Sequence, residues 1–176
     1  MWQSQTEHLS HCLNDNQLAW LGRPYHLARA LRRVCNELKV ERIYQGPGDY
    51  LDDEAVVLDD SQTVGCTREV FLCGDGIQFC FARTCMPLKT YQAFKTELDS
   101  LNHQLLGDTL LYPRSTARQM FYYAALTHDH PYFQKSQVDD QLTLGARRSL
   151  FYLQDYYPLL VTEVFLPAIP LYSDIQ

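Results

Sequence analysis

The stretch REVFLCGDGIQFCFARTCMP, residues 68–87, restricts the fold of this chain more than any other stretch. Apolar residues alternate with other residues on both sides of Asp75-Gly76, and an Asp-Gly pair between two such runs is a strong signal for a tight β-hairpin. The stretch therefore predicts two antiparallel strands, at residues 69–73 and 78–85, that pair with each other.

The segments around the hairpin predict helices and further strands. Leucine and valine recur near the helical period over residues 17–38, and a break at Gly-Arg-Pro divides this pattern into two short helices. The remaining predicted elements are a strand at 41–45, an acidic loop at 46–60, a helical region at 88–106 interrupted near 99–100, and strands at 117–126, 147–154 and 159–166. This order indicates an α+β fold with a largely antiparallel sheet, in one domain spanning residues 1–176.

The last predicted strand, within PLLVTEVFLP at residues 158–167, contains one carboxylate, Glu163. Side chains alternate along a strand, and both faces of this one are mostly apolar, which predicts burial on both sides. An ionised carboxylate in such a place costs about several kcal/mol unless a partner compensates it. Glu163 therefore lies either at an open end of the sheet or against a cavity that requires a polar group.

A cation occupies a comparable position in the hairpin. Arg68 begins the first predicted strand, and arginine is the preferred residue for holding a carboxylate because its planar fork donates two parallel hydrogen bonds. If Arg68 and Glu163 line one pocket, they either pair with each other or face opposite ends of a ligand. A solvated Arg68 at the strand end and a structural ion pair are the other interpretations, and periodicity does not distinguish them.

Composition and charge exclude several classes of partner. The formal net charge of −6 disfavours nucleic acid and anionic membrane surfaces, and no apolar run approaches the roughly 20 residues that span a bilayer. The N-terminus is polar and acidic, unlike a secretory signal. We expect a monomeric, soluble, cytoplasmic protein with no nucleic-acid partner and no integral membrane segment.

Cysteine and histidine do not form a recognisable metal motif. None of the six cysteines forms a Cys-x-x-Cys pair, and several lie in apolar strands, which predicts buried structural thiols. His128 and His130 form a His-x-His pair without a third ligand at metal spacing, so a surface turn is the preferred interpretation. Arg147 and Arg148 begin a strand, so one of them must point inward, and a structural salt bridge is expected there.

Five segments, taken together, resemble a known family. They are TREVFLCGDG, ARTCMP, LGDTLL, LGARRS and PLLVTEVFLPAIPLY. They occur in the order seen in bacterial chorismate lyases, and the similarity extends from about residue 68 to residue 172. It is strongest in the last strand and looser in the N-terminal part. The ordered set is fairly specific, although each segment alone is a weak signal.

The resemblance implies a fold, a reaction and a pathway. The family has a largely antiparallel sheet with helices packed on one side. Its members are carbon-oxygen lyases that remove the enolpyruvyl group of chorismate to give 4-hydroxybenzoate and pyruvate. They use no metal and no organic cofactor, and ubiquinone biosynthesis is the implied pathway.

The resemblance also implies roles for individual residues. Arg68 matches the arginine that binds the ring carboxylate, and Glu163 matches the glutamate near the ring hydroxyl. Leu111 matches a leucine whose backbone contacts the carboxylate, and Leu27 replaces a methionine in a flap that covers the ligand. The chemistry of a substrate with two carboxylates, rather than the resemblance, makes Arg83 on the returning hairpin strand the candidate second cation for the side-chain carboxylate. We hypothesise that Glu163 orients the hydroxyl and assists proton movement, but an intramolecular rearrangement without a protein base fits the sequence equally well.

Some positions depart from the family pattern. Tyr112 stands where the family usually has glycine after the carboxylate-contacting leucine, and Ala82 stands where many members have glycine. Such side chains near the pocket are expected to shift ring specificity or product release. The alternative function is non-catalytic binding or sensing of a small aromatic acid, as in the effector domains of certain winged-helix repressors. Only 67 residues precede Arg68, which argues against a complete repressor.

Overall fold

The computed structural model describes residues 2–23, 25–51, 53–113, 116–139 and 141–173, and its main feature is one antiparallel sheet. The strands are β1 Leu38–Asp49, β2 Val64–Gly74, β3 Ile77–Met86, β4 Ala117–Arg118, β5 Tyr122–Leu126, β6 Leu144–Leu153 and β7 Tyr157–Phe165. Their order is β1-β2-β3-β7-β6-β4, and β5 also pairs with β6. The predicted α+β fold is confirmed.

Short helices precede the first strand and connect several of the later strands. They are α1 Asp15–Gly22, α2 Leu27–Leu31, α3 Glu54–Val57, α4 Leu88–Ala93, α5 Lys95–Ser100 and α6 Pro131–Lys135, together with a 3-10 turn at Glu7–Leu9 and a π-helical turn at Gly107–Leu111. A capping box starts α1, because Asn14 and Gln17 each accept a hydrogen bond from the other's backbone N–H. Within the described ranges, no helix is long and apolar enough to cross a membrane.

The predicted hairpin is confirmed as β2 and β3. Asp75 and Gly76 both have positive φ, 51° and 83°, as the tight turn requires. The Asp75 carboxylate accepts hydrogen bonds from the backbone N–H groups of Asn36 and Glu37 at 3.0 and 2.8 Å, and these bonds hold the pKa of Asp75 below its usual value. The turn is thereby attached to the segment that leads into β1.

The register divides the sheet into two faces, because directly paired residues point to the same side. One row across the sheet contains Arg68, Thr84, Val161 and Ser149, and the next contains Val70, Ala82, Glu163 and Arg147. These two rows define what we call the helix-covered face. Side chains from α1, α2, α4 and α5 belong to the two hydrophobic clusters that also contain the apolar residues of this face.

The opposite face is covered by α3 and α6 and carries a buried ionic cluster. The Glu54 carboxylate accepts hydrogen bonds from Arg83 Nε at 2.8 Å, from Arg83 Nη2 at 3.0 Å and from the Tyr132 hydroxyl at 2.6 Å. Arg83 also pairs with Glu69. The side chains of Glu54 and Arg83 are 0% and 3% exposed, so the acidic segment is folded against the sheet through this cluster.

Replacement of Glu54 by glutamine is expected to lower the free energy of unfolding by about 3–5 kcal/mol, because the buried Arg83 charge then loses its main partner. Urea unfolding measures this change. Asp99→Asn is the matched control, since it breaks the exposed Lys95–Asp99 pair and is expected to leave the unfolding midpoint almost unchanged. Equal midpoints for wild type and Glu54→Gln would contradict the structural role of the cluster.

The cysteines mostly follow the prediction of buried thiols. Cys66, Cys73, Cys80 and Cys85 are free and buried, whereas Cys12 is exposed. Burial raises the pKa of the Cys80 and Cys85 thiols well above the usual range. These buried groups are therefore neutral packing elements of the sheet.

Candidate active site

A cavity lies between the helix-covered face and the segments that cover it. Its empty volume is about 610 Å³, which includes solvent at its mouth. Residues of β2, β3 and β7 form the floor, and α2 together with the π-helical turn forms the cover. The lining is mainly apolar, and three charged side chains of the described residues enter it: Arg68, Arg118 and Glu163.

Arg68 is a buried cation whose hydrogen bonds all go to neutral groups. Its side chain projects from β2, the residue is 4% exposed, and Nη2 donates to the backbone carbonyls of Gln104 and Asn102 at 2.9 and 3.3 Å. Nε is buried without a hydrogen-bond partner, and no carboxylate among the described residues contacts the guanidinium. Burial, followed by the charge of Arg42, lowers the pKa of Arg68 to about 10, so the side chain stays charged at neutral pH.

This arrangement predicts that Arg68 binds an anion. A buried charge without a partner is costly, and a ligand carboxylate is the group that an arginine fork binds best. The free Nε lets the guanidinium donate one more bond than it makes in the unliganded protein.

Glu163 faces the same cavity from β7 but has its own cation. Arg147, on the neighbouring strand β6, donates from Nε to Glu163 Oε2 at 2.6 Å. The Arg147 side chain is fully buried and the Glu163 side chain is 14% exposed. Arg147 therefore neutralises the carboxylate that lies within an apolar strand. This pair is the salt bridge predicted for the inward-pointing residue of Arg147 and Arg148. Glu163 lines the cavity, and its carboxylate can accept further hydrogen bonds besides the one from Arg147.

The sheet holds Arg68 and Glu163 apart while pointing both into the cavity. They lie two strands apart and in adjacent rows of the helix-covered face. Strands are about 4.8 Å apart and alternate residues on a strand about 7 Å apart, which separates the two Cα atoms by about 12 Å. Both long side chains line one cavity, so a small ligand that lies between them would contact both.

Arg83 does not line the cavity, which corrects the prediction that it is the second ligand cation. Counted outward from the turn, an ideal hairpin would pair Arg68 with Arg83 on one face. The register shifts between Leu72 and Cys73, and Arg68 pairs with Thr84 instead. Arg83 consequently points to the opposite face, into the cluster around Glu54.

Arg118 is the cation that lines the cavity and that the sequence analysis missed. It lies on the two-residue strand β4, where Nε donates to Ser149 Oγ at 3.1 Å and Nη1 to the Tyr25 carbonyl at 2.6 Å. Its guanidinium carbon is 3.9 Å from the ring centroid of Phe121 and 5.0 Å from that of Phe151. Phe151 is the β6 residue paired with Arg118.

The cover of the cavity is formed by two segments that contact each other. Leu27 on α2 and Leu111 in the π-helical turn line the cavity and are each 3% exposed. Beside them, the rings of His26 and Tyr112 meet edge to face with centroids 4.0 Å apart. Burial, followed by the charges of Arg118 and Arg29, lowers the pKa of His26, so this ring is neutral at pH 7.

A glycine makes room for Tyr112. A Cβ at Gly107 would lie 2.7 Å from Tyr112 Cε2, closer than ordinary packing allows. Gly107 and Tyr112 are thus a matched pair in the cover, and the Tyr112 ring occupies space beside the ligand region that a glycine at position 112 would leave open. The departure from the family pattern at this position therefore lies in the cavity wall.

Comparison with known proteins assigns this chain to a family. A sequence profile described as chorismate lyase matches residues 1–176. A chorismate pyruvate-lyase of Cronobacter sakazakii is 32% identical over 164 residues, which cover 92% of this chain and 87% of that protein. A chorismate pyruvate-lyase of Proteus mirabilis is 31% identical over 161 residues, which cover 90% and 85%.

Solved structures share the fold at low sequence identity. The crystal structure of PhnF from Mycobacterium smegmatis matches with a TM-score of 0.62 at 13% identity, over 89% of this chain and 69% of that one. The ligand-binding domain of a GntR-family transcriptional regulator from Bordetella bronchiseptica matches with a TM-score of 0.57 at 12% identity, over 80% and 91%. These likenesses establish the common fold alone.

Proposed function

Because this chain belongs to the chorismate lyase family, we propose that it removes the enolpyruvyl group of chorismate to give 4-hydroxybenzoate and pyruvate. The observation that carries the proposal is that Arg68, a buried cation without a carboxylate partner in the described part of the chain, lines the same cavity as Glu163. In the proposed complex, Arg68 binds the ring carboxylate and Glu163 lies near the ring hydroxyl. Leu111 and Leu27 close the space over the ring.

The reaction is a redox-neutral elimination. The bond between the ring carbon and the side-chain oxygen breaks, and its electron pair leaves with the enolpyruvate oxygen. The neighbouring carbon, which bears the hydroxyl, loses its proton, and the electron pair of that C–H bond completes the aromatic ring. A proton on the methylene carbon of the departing fragment gives pyruvate. Aromatisation drives the step, so the protein mainly holds a reactive conformer and complements the developing charge.

Glu163 is the side chain best placed to accept the proton that leaves the ring. Its carboxylate lies at the hydroxyl end of the proposed ring position, and Arg147 holds it in orientation through Oε2. We propose that Glu163 orients the hydroxyl and receives the proton from the carbon that bears it. The competing route transfers that proton directly to the methylene carbon within the substrate, and it needs no protein base.

The biological setting follows from the proposed product. We propose that 4-hydroxybenzoate made by this protein supplies ubiquinone biosynthesis, and that the protein acts as a cytoplasmic monomer. The elimination exchanges no electrons with an external group, which supports a reaction without metal or organic cofactor. We therefore expect the protein to retain full activity after dialysis against EDTA.

Incubation of the purified protein with chorismate tests the proposed function. Formation of 4-hydroxybenzoate and pyruvate in equal amounts, followed by chromatography, is the expected result. Binding of 4-hydroxybenzoate with no turnover of chorismate would instead identify a non-catalytic aromatic acid-binding protein of the same fold. Asp99→Asn serves as the matched control, because it breaks an exposed ion pair outside the cavity and is expected to leave both folding and turnover unchanged.

A further inference from the structure

We propose that Arg118 binds the carboxylate of the enolpyruvyl side chain, as the second cation of the site; this inference rests on the proposed function. Chorismate carries two carboxylates, one on the ring and one on the departing side chain. Arg68 accounts for the first. The cavity contains one further arginine, Arg118, among the residues that the structure describes.

Arg118 has the hydrogen-bonding capacity for a carboxylate. Its hydrogen bonds go to a hydroxyl and a backbone carbonyl, both neutral, and no carboxylate of the described chain contacts it. Nη2 makes no hydrogen bond to the described residues, so this group is available to a ligand. The aromatic rings of Tyr25, Phe121 and Phe151 lie around the guanidinium and keep it in place.

The charges of the cavity match a dianion. The negative charge of Glu163 is already paired with Arg147. Arg68 and Arg118 are then two positive charges that no described carboxylate neutralises. A ligand with two carboxylates would neutralise both, whereas 4-hydroxybenzoate has only the carboxylate that Arg68 binds.

The register places Arg118 on the side where the departing group would lie. Arg68 and Ser149 belong to one row across the sheet, and Ser149 accepts the hydrogen bond from Arg118 Nε. Arg118 therefore approaches the cavity from the β6 side, and Arg68 approaches it from β2. With the ring carboxylate on Arg68 and the hydroxyl toward Glu163 on β7, a side chain on the carbon next to the hydroxyl reaches toward β6 and Arg118.

Arg118 also donates to the Tyr25 carbonyl just before α2, so a purely structural role must be separated from ligand binding. The two candidate ligands make this separation. Chorismate has the side-chain carboxylate and 4-hydroxybenzoate lacks it, so loss of a carboxylate contact affects only chorismate. Collapse of the cover would weaken the binding of both.

The test measures kcat/KM for chorismate and the inhibition constant of 4-hydroxybenzoate in the same variants. Arg118→Met is expected to lower kcat/KM about 10- to 100-fold, the usual cost of a lost bond to a charged group, and to change the inhibition constant less than about threefold. Arg118→Lys keeps the charge without the planar fork, so its kcat/KM is expected to fall between the other two values. Arg33→Met, an exposed arginine outside the cavity, is the matched control that is expected to change neither constant.

The possible results have distinct meanings. A selective loss for chorismate in Arg118→Met supports the assignment. Equal losses for chorismate and 4-hydroxybenzoate, or no loss for either, overturn it, and the lysine variant decides the question if the methionine variant does not fold. Failure of the wild-type protein to convert chorismate contradicts the proposed function itself, whatever the variants do.

Discussion

Replacement of Arg68 by methionine is expected to lower chorismate turnover about 100-fold or more while leaving the unliganded protein at least as stable as the wild type. Loss of one partner of a buried charge pair costs about 2–5 kcal/mol of binding, and the Arg68–carboxylate pair is the main anchor of the proposed complex. Without ligand, however, Arg68 is a desolvated cation with only carbonyl partners. A methionine of similar length removes that desolvation cost, and water satisfies the carbonyls of the exposed residues Asn102 and Gln104.

Arg83→Met is the matched control for this prediction. Both arginines are buried on the same hairpin, but Arg83 is paired with Glu54 and Glu69. Its removal takes the paired cation from the buried Glu54, while Glu69 keeps its contact with Lys135, and is expected to destabilise the fold by about 3–5 kcal/mol. Thermal unfolding with and without 4-hydroxybenzoate measures both effects: the ligand should raise the unfolding temperature of the wild type and not that of Arg68→Met. A ligand-induced rise of equal size in Arg68→Met would contradict the role of Arg68.

Two substitutions of Glu163 are expected to separate its contribution to stability from its contribution to the reaction. Glu163→Ala removes the carboxylate that accepts from Nε of the buried Arg147 and should lower the free energy of unfolding by about 3–5 kcal/mol. Glu163→Gln keeps an oxygen that accepts from Arg147 Nε and should destabilise less. The glutamine variant cannot receive a proton, so its kcat is expected to fall about 100-fold or more if Glu163 acts on the proton as proposed.

The two variants distinguish the mechanisms when kcat and stability are measured together. Full turnover by both Glu163→Gln and Glu163→Ala would remove Glu163 from the mechanism and favour proton transfer within the substrate. The double variant Glu163→Ala with Arg147→Met adds a control, because it removes both members of the Arg147–Glu163 ion pair. It should regain stability relative to Glu163→Ala without regaining activity, and a return of activity would show that the single variant failed only through instability.

Local sequence patterns predicted the elements that position the site. Asp75-Gly76 between alternating runs identified the β2–β3 hairpin, and the break at Gly-Arg-Pro separated α1 from α2. The predicted interruption near residues 99–100 is confirmed by the end of α5 at Ser100, and a second break that was not predicted lies at Phe94, whose φ of −119° ends α4. The strand predicted at 117–126 is divided into β4 and β5. Element type followed from periodicity, whereas element ends depended on tertiary packing.

The position of Arg83 depended on a feature that the hairpin pattern does not reveal. A one-residue change of register moves every following side chain to the other face of a strand. The irregularity between Leu72 and Cys73 makes that change, and it decides that Thr84 and not Arg83 shares a face with Arg68. Beyond this irregularity, Arg68 pairs with Thr84 and Glu163 pairs with Ala82. Thr84 and Ala82 are two residues apart on β3, so Arg68 and Glu163 point to the same face.

Arg118 and Glu54 were beyond prediction for a different reason. Arg118 lies on a strand of two residues, too short to produce a periodic signal, and its partners Tyr25 and Ser149 are distant in sequence. Glu54 belongs to an acidic segment whose composition indicates a solvated loop, yet the segment is fixed by contacts with Arg83 and Tyr132 from other elements. Long-range pairing of this kind leaves no local pattern to read.

A crystal structure of the protein with 4-hydroxybenzoate would show whether Arg68 and Glu163 bind opposite ends of one ring. We expect one ring in the cavity between the helix-covered face and α2, its carboxylate on the guanidinium of Arg68 and its hydroxyl toward Glu163. A ring bound outside this cavity, or bound inside it with the carboxylate away from Arg68, would contradict the account.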